Sequence, residues 1–495
     1  MATRDVIVAL DLGTTGNRAI AFAHDGSVVA QAYRTLTQHY PQPGWVEHDP
    51  VELCRTALDA LTEVVGAVGA ASVRAIGIAN QRETSVVWDR ATGKPLCNAI
   101  VWQDRRTAGM CEALSGARGF VKAKTGLFID PYFSATKIRW VLDKTDPDHA
   151  RAKSGALAFG TPDTWVLWNL TKGRAHSTDP SNASRTMLFD IAALSWDAEL
   201  LDLFGIPQEI LPEVRDSDAL AGYTDTALFG HPIPIAGMLG DQQAALFGQR
   251  GWDSDTVKAT YGTGIFILVN TGEAVVSSDK LVSTVAWKTR QGVRYALEGS
   301  LFMGGASVQW LEENLGIIAG PAETAEAALR AGSNDGVYFV PAFQGLGSPY
   351  WAPDARALLI GLTRKANRDT VIRAALESMA YQVRDVVEEF TRSMGRPVKT
   401  LRVDGGATHN DFLMQFQADM LGISVVRARA TETTALGVAG MAGISCGFWD
   451  EASFAEVLGA DRTFGPAGDP KTQDRLYAGW QEAVRRSLGW ARVVQ

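Results

Sequence analysis

Apolar and polar positions at the start of the chain follow a pattern that predicts a β-hairpin. Two apolar runs, Val6–Leu10 and Ala19–Ala23, flank the polar segment Asp11–Arg18, and a third short run follows at Val28–Ala30. Runs rich in β-branched residues joined by a Gly/Thr turn are typical of hairpin strands. This glycine loop therefore connects strand to strand, whereas dinucleotide-binding and Walker loops connect a strand to a helix.

The segment Asp11–Arg18 has the composition of a cradle for nucleotide phosphates. Its glycines permit close backbone approach and leave amide N–H groups free to face an anion. Side-chain donors come from Thr14, Thr15, Asn17 and Arg18, and Asp11 can face a metal ion that accompanies the anion. On this loop alone, an ordinary tight hairpin is an equally good interpretation, because short motifs often occur by chance.

The same pattern returns near the middle of the chain. Val257–Gly264 combines a predicted strand with a Gly-Thr-Gly turn, and a second strand follows at Ile265–Val269. Because the two turns are separated by almost half the chain, the repeat indicates two related domains that face each other across a cleft. The polar, glycine-containing break at Arg250–Asp255 places the boundary between residues 1–250 and 251–495.

Polar side chains follow two further predicted strands. The strand Ile76–Ala79 ends in five consecutive polar residues, 80–84, and the strand Ala99–Trp102 ends in Gln103–Arg106. Open α/β sheets bind ligands at such strand ends, which favours a site here. Merely solvated strand ends are the alternative.

Two helix starts in the chain carry candidate chemistry. A predicted helix begins near Gly240 with Asp241 at the N-cap position, and capping alone is enough to explain that aspartate. In the second half, the strand Leu401–Val403 runs into the glycine loop Asp404–Asn410, which is followed by a helix over 411–421. A strand–Gly-Gly–helix arrangement lets a flat ligand lie against bare backbone, and a tight turn is the alternative.

Composition excludes several classes of protein. The chain has 495 residues, 46% hydrophobic content and a net charge of −8, with no basic tract, so it is a globular protein of several domains and not a nucleic-acid binder. The longest apolar stretch, 435–449, is too short to span a membrane and predicts a buried helix. The four cysteines have no metal or redox spacing, which indicates reduced thiols in a cytoplasmic protein.

Taken together, these motifs resemble those of the FGGY carbohydrate kinase family, within the actin and hexokinase superfamily. The resemblance extends from Ile7 to about Trp490, and it includes all three glycine loops and the segment Gln81–Thr84. That segment is similar to the one in family members that act on glycerol, whereas pentulose kinases carry a His-containing segment there. The implied fold is α/β, with two ribonuclease H-like domains of the actin/hexokinase type facing across a cleft for ATP and substrate.

The resemblance implies a Mg²⁺-dependent transferase that moves the γ-phosphoryl group of ATP to glycerol, and a homo-oligomer, either dimer or tetramer. Asp241 would be the general base. The residues implied at glycerol are Arg82, Glu83, Trp102, Tyr132, Asp241, Gln242 and Phe266. The residues implied at the nucleotide are Thr14, Thr15, Asn17, Arg18, Thr260, Gly262, Thr263, Gly305, Gln309, Gly405, Gly406, Ala407 and Asn410. Asp11 would act on Mg²⁺ through water, because Mg²⁺ sheds its hydration shell reluctantly.

Two other functions fit parts of the sequence. One is an FGGY kinase for another small polyol or ketose, such as erythritol or dihydroxyacetone. The other is an ATP-binding structural or chaperone protein on the same fold, which would have no use for the polar set at Arg82, Glu83 and Asp241. Trp102 and Phe266 are also of a type that most often fills a hydrophobic core.

Overall fold

Two mixed β-sheets, one in each half of the chain, organise the computed structural model, which describes residues 5–494. The strands of the first half are β1 (Val6–Leu12), β2 (Gly16–Phe22), β3 (Val28–Thr35), β4 (Glu47–His48), β5 (Val73–Asn80), β6 (Val86–Asp89), β7 (Ala99–Ile100), β8 (Leu157–Gly160), β9 (Ser177–Thr178), β10 (Phe189–Asp190), β11 (Ser195–Trp196), β12 (Glu213–Val214), β13 (Gly222–Tyr223) and β14 (Pro234–Gly240). Its helices are α1 (Pro50–Val68), α2 (Ala108–Ala113), α3 (Arg118–Thr125), α4 (Ser134–Thr145), α5 (Ala150–Lys153), α6 (Pro162–Leu170), α7 (Pro180–Ala183), α8 (Ala198–Phe204), α9 (Thr226–Phe229) and α10 (Asp241–Gly248).

The second half follows after a loop between α10 and the next strand. Its strands are β15 (Thr256–Tyr261), β16 (Ile265–Gly272), β17 (Val282–Thr289), β18 (Gly292–Leu301), β19 (Tyr338–Val340), β20 (Leu358–Ile360), β21 (Thr400–Asp404), β22 (Ser424–Ala428) and β23 (Ala460–Phe464). Its helices are α11 (Gly305–Glu313), α12 (Glu323–Ala331), α13 (Arg368–Met394), α14 (Asp411–Leu421), α15 (Thr433–Ser445), α16 (Glu451–Val457), α17 (Pro470–Ser487) and α18 (Trp490–Val494).

The two large sheets share one strand order. In the first, β3, β2 and β1 are antiparallel neighbours, and β5 and β14 then continue parallel to β1. In the second, β18, β16 and β15 take the antiparallel positions, and β21 and β22 continue parallel to β15. This duplicated order confirms the predicted pair of α/β domains, and both predicted hairpins are present. The division at residue 250 stays a prediction, and residues 1–4 and 495 of the predicted domains lie outside the described range.

Two short helices hold the halves together. Helix α10 ends the first half, helix α15 belongs to the second, and the two cross at a glycine contact where Gly437 of α15 lies against the carbonyl of Ala244 of α10. Helix α15 also packs against β1, β5 and β14 of the first sheet. The stretch predicted to be a buried helix is thus confirmed as helical over 433–445, and its apolar side chains belong to a core shared by both halves.

Two local expectations need correction. The N-cap of α10 is Gly240, and Asp241 is the first helical residue, so Asp241 does not occupy the predicted N-cap position. The predicted strand over Ala99–Trp102 is only two residues long, and it pairs with β4 outside the large sheet. Its polar end nevertheless meets the end of β5, because the Trp102 amide donates to the Thr84 hydroxyl at 3.2 Å. Within residues 5–494, no helix is long and apolar enough to cross a membrane.

Candidate active site

Strand periodicity divides the residues of the first glycine turn between two faces. Asp11 and Arg18 pair across the β1–β2 hairpin, so their side chains lie on the same face of the sheet. Asn17 points to the opposite face, where its amide donates to the Leu53 carbonyl at 2.9 Å and to the Thr56 hydroxyl at 2.8 Å. The Asn17 side chain therefore binds helix α1 to the sheet, and it does not lie with the other predicted phosphate donors of the turn.

Arg82, just beyond the end of β5, lies at the centre of a buried polar cluster. Its Nε is 3.2 Å from Oδ1 of Asp241, and its Nη2 is 3.4 Å from the Tyr132 hydroxyl. Its two Nη atoms donate to the carboxylate of Glu298 at 2.5 and 3.2 Å. Three of the side chains predicted for glycerol thus converge on one point at the edge of the first sheet.

Glu83 adjoins this cluster in a backbone conformation that is uncommon for a side-chain-bearing residue. Its φ of 62° lies in the left-handed region, and such strain concentrates at functional sites. Its carboxylate accepts a hydrogen bond of 2.6 Å from Nε of Arg185, while its carbonyl accepts one from the Ser134 hydroxyl at 3.0 Å. The strained turn therefore aims the Glu83 side chain into the cluster.

Glu298 supplies the negative charge that balances two buried guanidinium groups. It lies on β18 of the second half, is fully buried, and accepts from Arg185 at 2.9 Å in addition to Arg82. Although burial opposes ionisation, Arg185 and Arg82 outweigh it and lower the pKa of Glu298 to about 2. The charged cluster is therefore built from both halves of the chain.

An aromatic wall adjoins the cluster. The Trp102 indole donates to the Thr14 hydroxyl at 2.9 Å, and its ring meets Tyr132 and Phe266 edge to face, with centroid distances of 5.8 and 6.0 Å. Thr14 belongs to the first glycine turn, and Phe266 belongs to the strand after the second. Trp102 thus contacts both the first glycine turn and the strand that follows the second.

Asp241 and Gln242 begin helix α10 beside the polar cluster. The side chain of Asp241 is 30% exposed, so it is partly accessible to a ligand. Gln242 donates from Nε2 to Oδ2 of Asp241 at 3.2 Å, and Gln242 Oε1 accepts from Nζ of Lys258 at 2.5 Å. Lys258 lies on β15, so this contact also crosses between the halves.

The second and third glycine turns lie side by side. The Gly305 amide donates to the carbonyl of Gly262 at 2.8 Å, which sets the second turn on the start of α11, while Thr263 at its tip is exposed. Thr260 pairs with Asp404 across β15 and β21. Gly405 has a φ of 91°, and a Cβ there would come within 2.5 Å of the Tyr261 carbonyl oxygen, so only glycine fits.

Two predicted nucleotide residues have side chains held by the protein itself. Asn410 caps α14 by accepting from the Leu413 amide at 3.0 Å, and it donates to the Thr324 hydroxyl at 3.0 Å. Gln309 is exposed on α11 and donates to Glu313 at 2.8 Å. Gly406 and Ala407 belong to the third glycine loop, where they form part of the 3₁₀ turn Gly406–His409.

The start of α15 connects the first and third turns. Arg18 forms an ion pair with Glu432, the N-cap residue of α15, and the next residue, Thr433, donates to the carboxylate of Asp404. The four side chains come from both halves of the chain. The three glycine turns therefore surround a common cleft.

The environment of Asp11 fits a divalent cation. Burial and the neighbouring negative charge of Asp241 raise the pKa of Asp11 to about 7, although Arg18 opposes the shift. A cation between the two carboxylates would relieve both causes. Within the described residues, no group of three or more His, Cys, Asp or Glu side chains could hold a metal ion.

Four residues that contact the predicted site are not predicted from the sequence: Arg185, Gln243, Lys258 and Glu298. Lys258 is the one charged residue of β15, and Glu298 directly follows the apolar residues 295–297 of β18, a pattern that indicates a buried charge with a partner. Arg185 and Gln243 have no such signal, because both lie in mixed polar sequence.

Comparisons with known proteins agree on one family over nearly the whole chain. The N-terminal domain of the FGGY family of carbohydrate kinases matches residues 6–248, and the C-terminal domain of that family matches residues 257–446. The glycerol kinase of Shewanella amazonensis is 52% identical over 98% of this chain and 99% of its own. Glycerol kinase 2 of Thermotoga maritima is also 52% identical, with the same coverage.

Solved structures give the same result. The crystal structure of Plasmodium falciparum glycerol kinase with ADP superposes with a TM-score of 0.93 at 36% identity, covering 98% of both chains. A ligand-bound xylulose kinase from Lactobacillus acidophilus superposes with a TM-score of 0.87 at 21% identity, covering 97% of both chains, which is a likeness of fold alone.

Proposed function

The chain belongs to the FGGY family of carbohydrate kinases, and from that membership we propose that it is a glycerol kinase. It transfers the γ-phosphoryl group of ATP to glycerol and forms sn-glycerol 3-phosphate and ADP. The observation that carries the proposal is the pairing of Arg82 with Asp241 beside the Trp102–Phe266 wall, in a chain 52% identical to curated glycerol kinases.

The polar cluster suits a small polyol. Hydroxyl groups need convergent donors and acceptors, which Arg82, Glu83, Tyr132, Asp241 and Gln242 provide. Trp102 and Phe266 offer an apolar surface to the carbon skeleton. A buried site built to hydrogen-bond hydroxyls discriminates strongly against substrates that leave its polar groups unpaired.

Asp241 acts as the general base in this proposal. Its partly exposed carboxylate accepts the proton of a primary hydroxyl of glycerol as that oxygen forms a bond to the γ-phosphorus. The bond from the γ-phosphorus to the β–γ bridging oxygen breaks, and ADP leaves with that oxygen. Because the transition state of phosphoryl transfer is loose, the residues contribute mainly position and charge.

The nucleotide occupies the cleft between the three glycine turns. Arg18 with Thr14 and Thr15 binds the β- and γ-phosphates from one side, and Thr260, Gly262 and Thr263 bind them from the other. The adenosine lies near Gly305, Gln309, Gly405, Gly406, Ala407 and Asn410, with contacts from backbone where the side chains are already bonded. Asp11 would hold Mg²⁺ through water, and the ion would neutralise phosphate charge.

We further propose the division of labour between the halves. Residues 1–250 form the domain with the glycerol site and the first phosphate turn, and residues 251–495 form the domain with the second phosphate turn and the adenosine site. An ATP-dependent enzyme of this kind acts in the cytoplasm. The family resemblance favours a homo-oligomer, a dimer or a tetramer.

Steady-state kinetics with glycerol and MgATP, followed by coupled detection of ADP, tests the proposal. Erythritol, dihydroxyacetone and a pentulose serve as competing substrates. We expect the highest kcat/KM for glycerol. Without glycerol, we expect ADP to form only slowly by ATP hydrolysis, because closure of the cleft limits hydrolysis. A higher kcat/KM for another polyol would reassign the substrate, and ATP hydrolysis that is indifferent to every polyol would remove the kinase proposal.

A further inference from the structure

Lys258 is a fully buried lysine that donates its hydrogen bond to an amide oxygen and not to a carboxylate. Its Nζ donates to the neutral Oε1 of Gln242 at 2.5 Å, and among residues 5–494 no carboxylate oxygen lies within 4 Å of it. Placing an ammonium group in a protein interior without an ion pair is unfavourable. A lysine at this position of β15 therefore calls for a functional explanation.

The lysine determines which way the Gln242 carboxamide faces. An ammonium group has donors only, so the atom facing it must be Oε1, and the Nε2 amide is then turned towards Asp241. Gln242 Nε2 donates to Asp241 Oδ2 at 3.2 Å, while Oδ1 receives the Gln242 backbone amide at 2.7 Å and faces Arg82 Nε at 3.2 Å. Both oxygens of Asp241 are thereby fixed in direction.

We propose that Lys258 is a positioning residue that, through the carboxamide of Gln242, holds the Asp241 carboxylate in line with the hydroxyl it deprotonates. The inference rests on the proposed function, which makes Asp241 the base. Lys258 belongs to the second half and Asp241 to the first, so the geometry of the base depends on contact between the halves. Displacing a reacting group by about 1 Å is enough to cost about 100-fold in rate.

The charges around Lys258 agree with this role. Burial lowers its pKa to about 8, against the charges of Asp404, Asp241 and Glu298, while Arg82 acts in the same direction as burial. The lysine remains mostly protonated at neutral pH. It therefore adds a positive charge behind Gln242 without competing with Arg82 for the Asp241 oxygens.

Replacement of Lys258 by methionine tests the proposal. We expect Lys258→Met to lower kcat about 100-fold, because the Gln242 carboxamide loses the charge that orients it, with the KM for MgATP within twofold of the wild-type value. The matched control is Lys122→Met. That half-buried lysine also donates to neutral oxygens, the carbonyls of Gly126 and Leu281 at 2.8 and 2.6 Å, and its loss should leave kcat unchanged.

A double-variant cycle separates the relay from direct action on the phosphoryl group. If Lys258 acts through Gln242, Gln242→Met also lowers kcat, and the Lys258→Met/Gln242→Met double variant loses no more than the worse single variant. If the fold losses in kcat of the two single variants multiplied in the double variant, the proposal would be overturned. Wild-type kcat in either single variant would also overturn it. Should Lys258→Met fail to fold, wild-type kcat in Gln242→Met would still overturn the proposal, because a relay cannot survive without its middle member.

The two levels of proposal fail differently. A wild-type enzyme that forms no ADP with glycerol removes the proposed function before any variant is made. A wild-type enzyme that is active, with Lys258→Met equally active, removes only the role of Lys258.

Discussion

Glu298 of strand β18 accepts a hydrogen bond of 2.5 Å at Oε2 from Nη1 of Arg82, which belongs to the other half of the chain. Arg185 donates to the same carboxylate, so one anion compensates two buried cations. Because breaking a buried pair leaves an uncompensated charge, we expect Glu298→Gln to cost about 3–5 kcal/mol in unfolding free energy. The KM for glycerol should also rise, since Arg82 loses the partner that orients it.

Thermal unfolding and glycerol kinetics of Glu298→Gln check this expectation. Glu273→Gln is the matched control, because Glu273 pairs with Arg294 at 2.8 Å but is 75% exposed. Exposed pairs contribute only about 0–1 kcal/mol, so the control should retain both stability and KM. Equal behaviour of the two variants would show that the buried pair does not support the site.

Asp241→Asn separates chemistry from binding. The amide keeps the shape of the carboxylate but cannot accept the hydroxyl proton, so we expect kcat to fall by about 100-fold or more while ATP binding persists. Arg82→Ala should instead raise mainly the KM for glycerol. Calorimetric binding of ADP together with steady-state kinetics measures both. Near-normal turnover in Asp241→Asn would mean that another group takes the proton.

Arg18 and Glu432 form an ion pair across the cleft, at the position proposed for the phosphates. ATP must draw Arg18 away from this partner in order to use its charge. Both side chains are about one-third exposed, so the competing pair is worth about 1 kcal/mol or less. We expect Glu432→Gln to lower the KM for ATP by up to about fivefold without changing the KM for glycerol. A higher KM for ATP would show that Glu432 assists the nucleotide.

The parts of the site predicted from sequence are those fixed by local pattern. The hairpin around Gly13, the strand before Gly405 and the helix after Asn410 follow from apolar runs and turn residues, and all are present. The face on which Asn17 lies is decided by β2 pairing in register with β1, and α1 then takes its amide. The local sequence pattern cannot predict the contact between Asn17 and α1, because the partners of Asn17 are distant in sequence.

Contacts between the halves were beyond sequence reasoning for the same reason. Glu298 and Lys258 meet their partners, Arg82 and Gln242, only after both sheets have formed and α10 and α15 have crossed. Each is a charge beside apolar strand residues, which indicates a buried partner without identifying it. The family resemblance predicts residues for glycerol and the nucleotide, and the residues that hold those side chains in place could be identified only from the fold.

Asp385 provides a test of electrostatics away from the cleft. On α13 it is buried and accepts from the Tyr477 hydroxyl at 2.6 Å and the Trp480 indole at 2.8 Å, both on α17. Burial outweighs these hydrogen bonds and raises the pKa of Asp385 to about 7. The folded protein therefore holds this proton at pH values where the unfolded chain has released it.

The sign of the pH effect follows from linkage. The folded state binds more protons than the unfolded state between the unfolded pKa near 4 and the folded pKa near 7, so Asp385 destabilises the fold progressively as pH rises through that range. Relative to Asp385→Asn, the wild type should lose roughly 2–3 kcal/mol of unfolding free energy between pH 5 and pH 8. Urea unfolding of both proteins across this range measures the difference, and the constant cost of the substitution cancels. A difference independent of pH would mean that the carboxyl is ionised in the folded state throughout, with Tyr477 and Trp480 stabilising its charge.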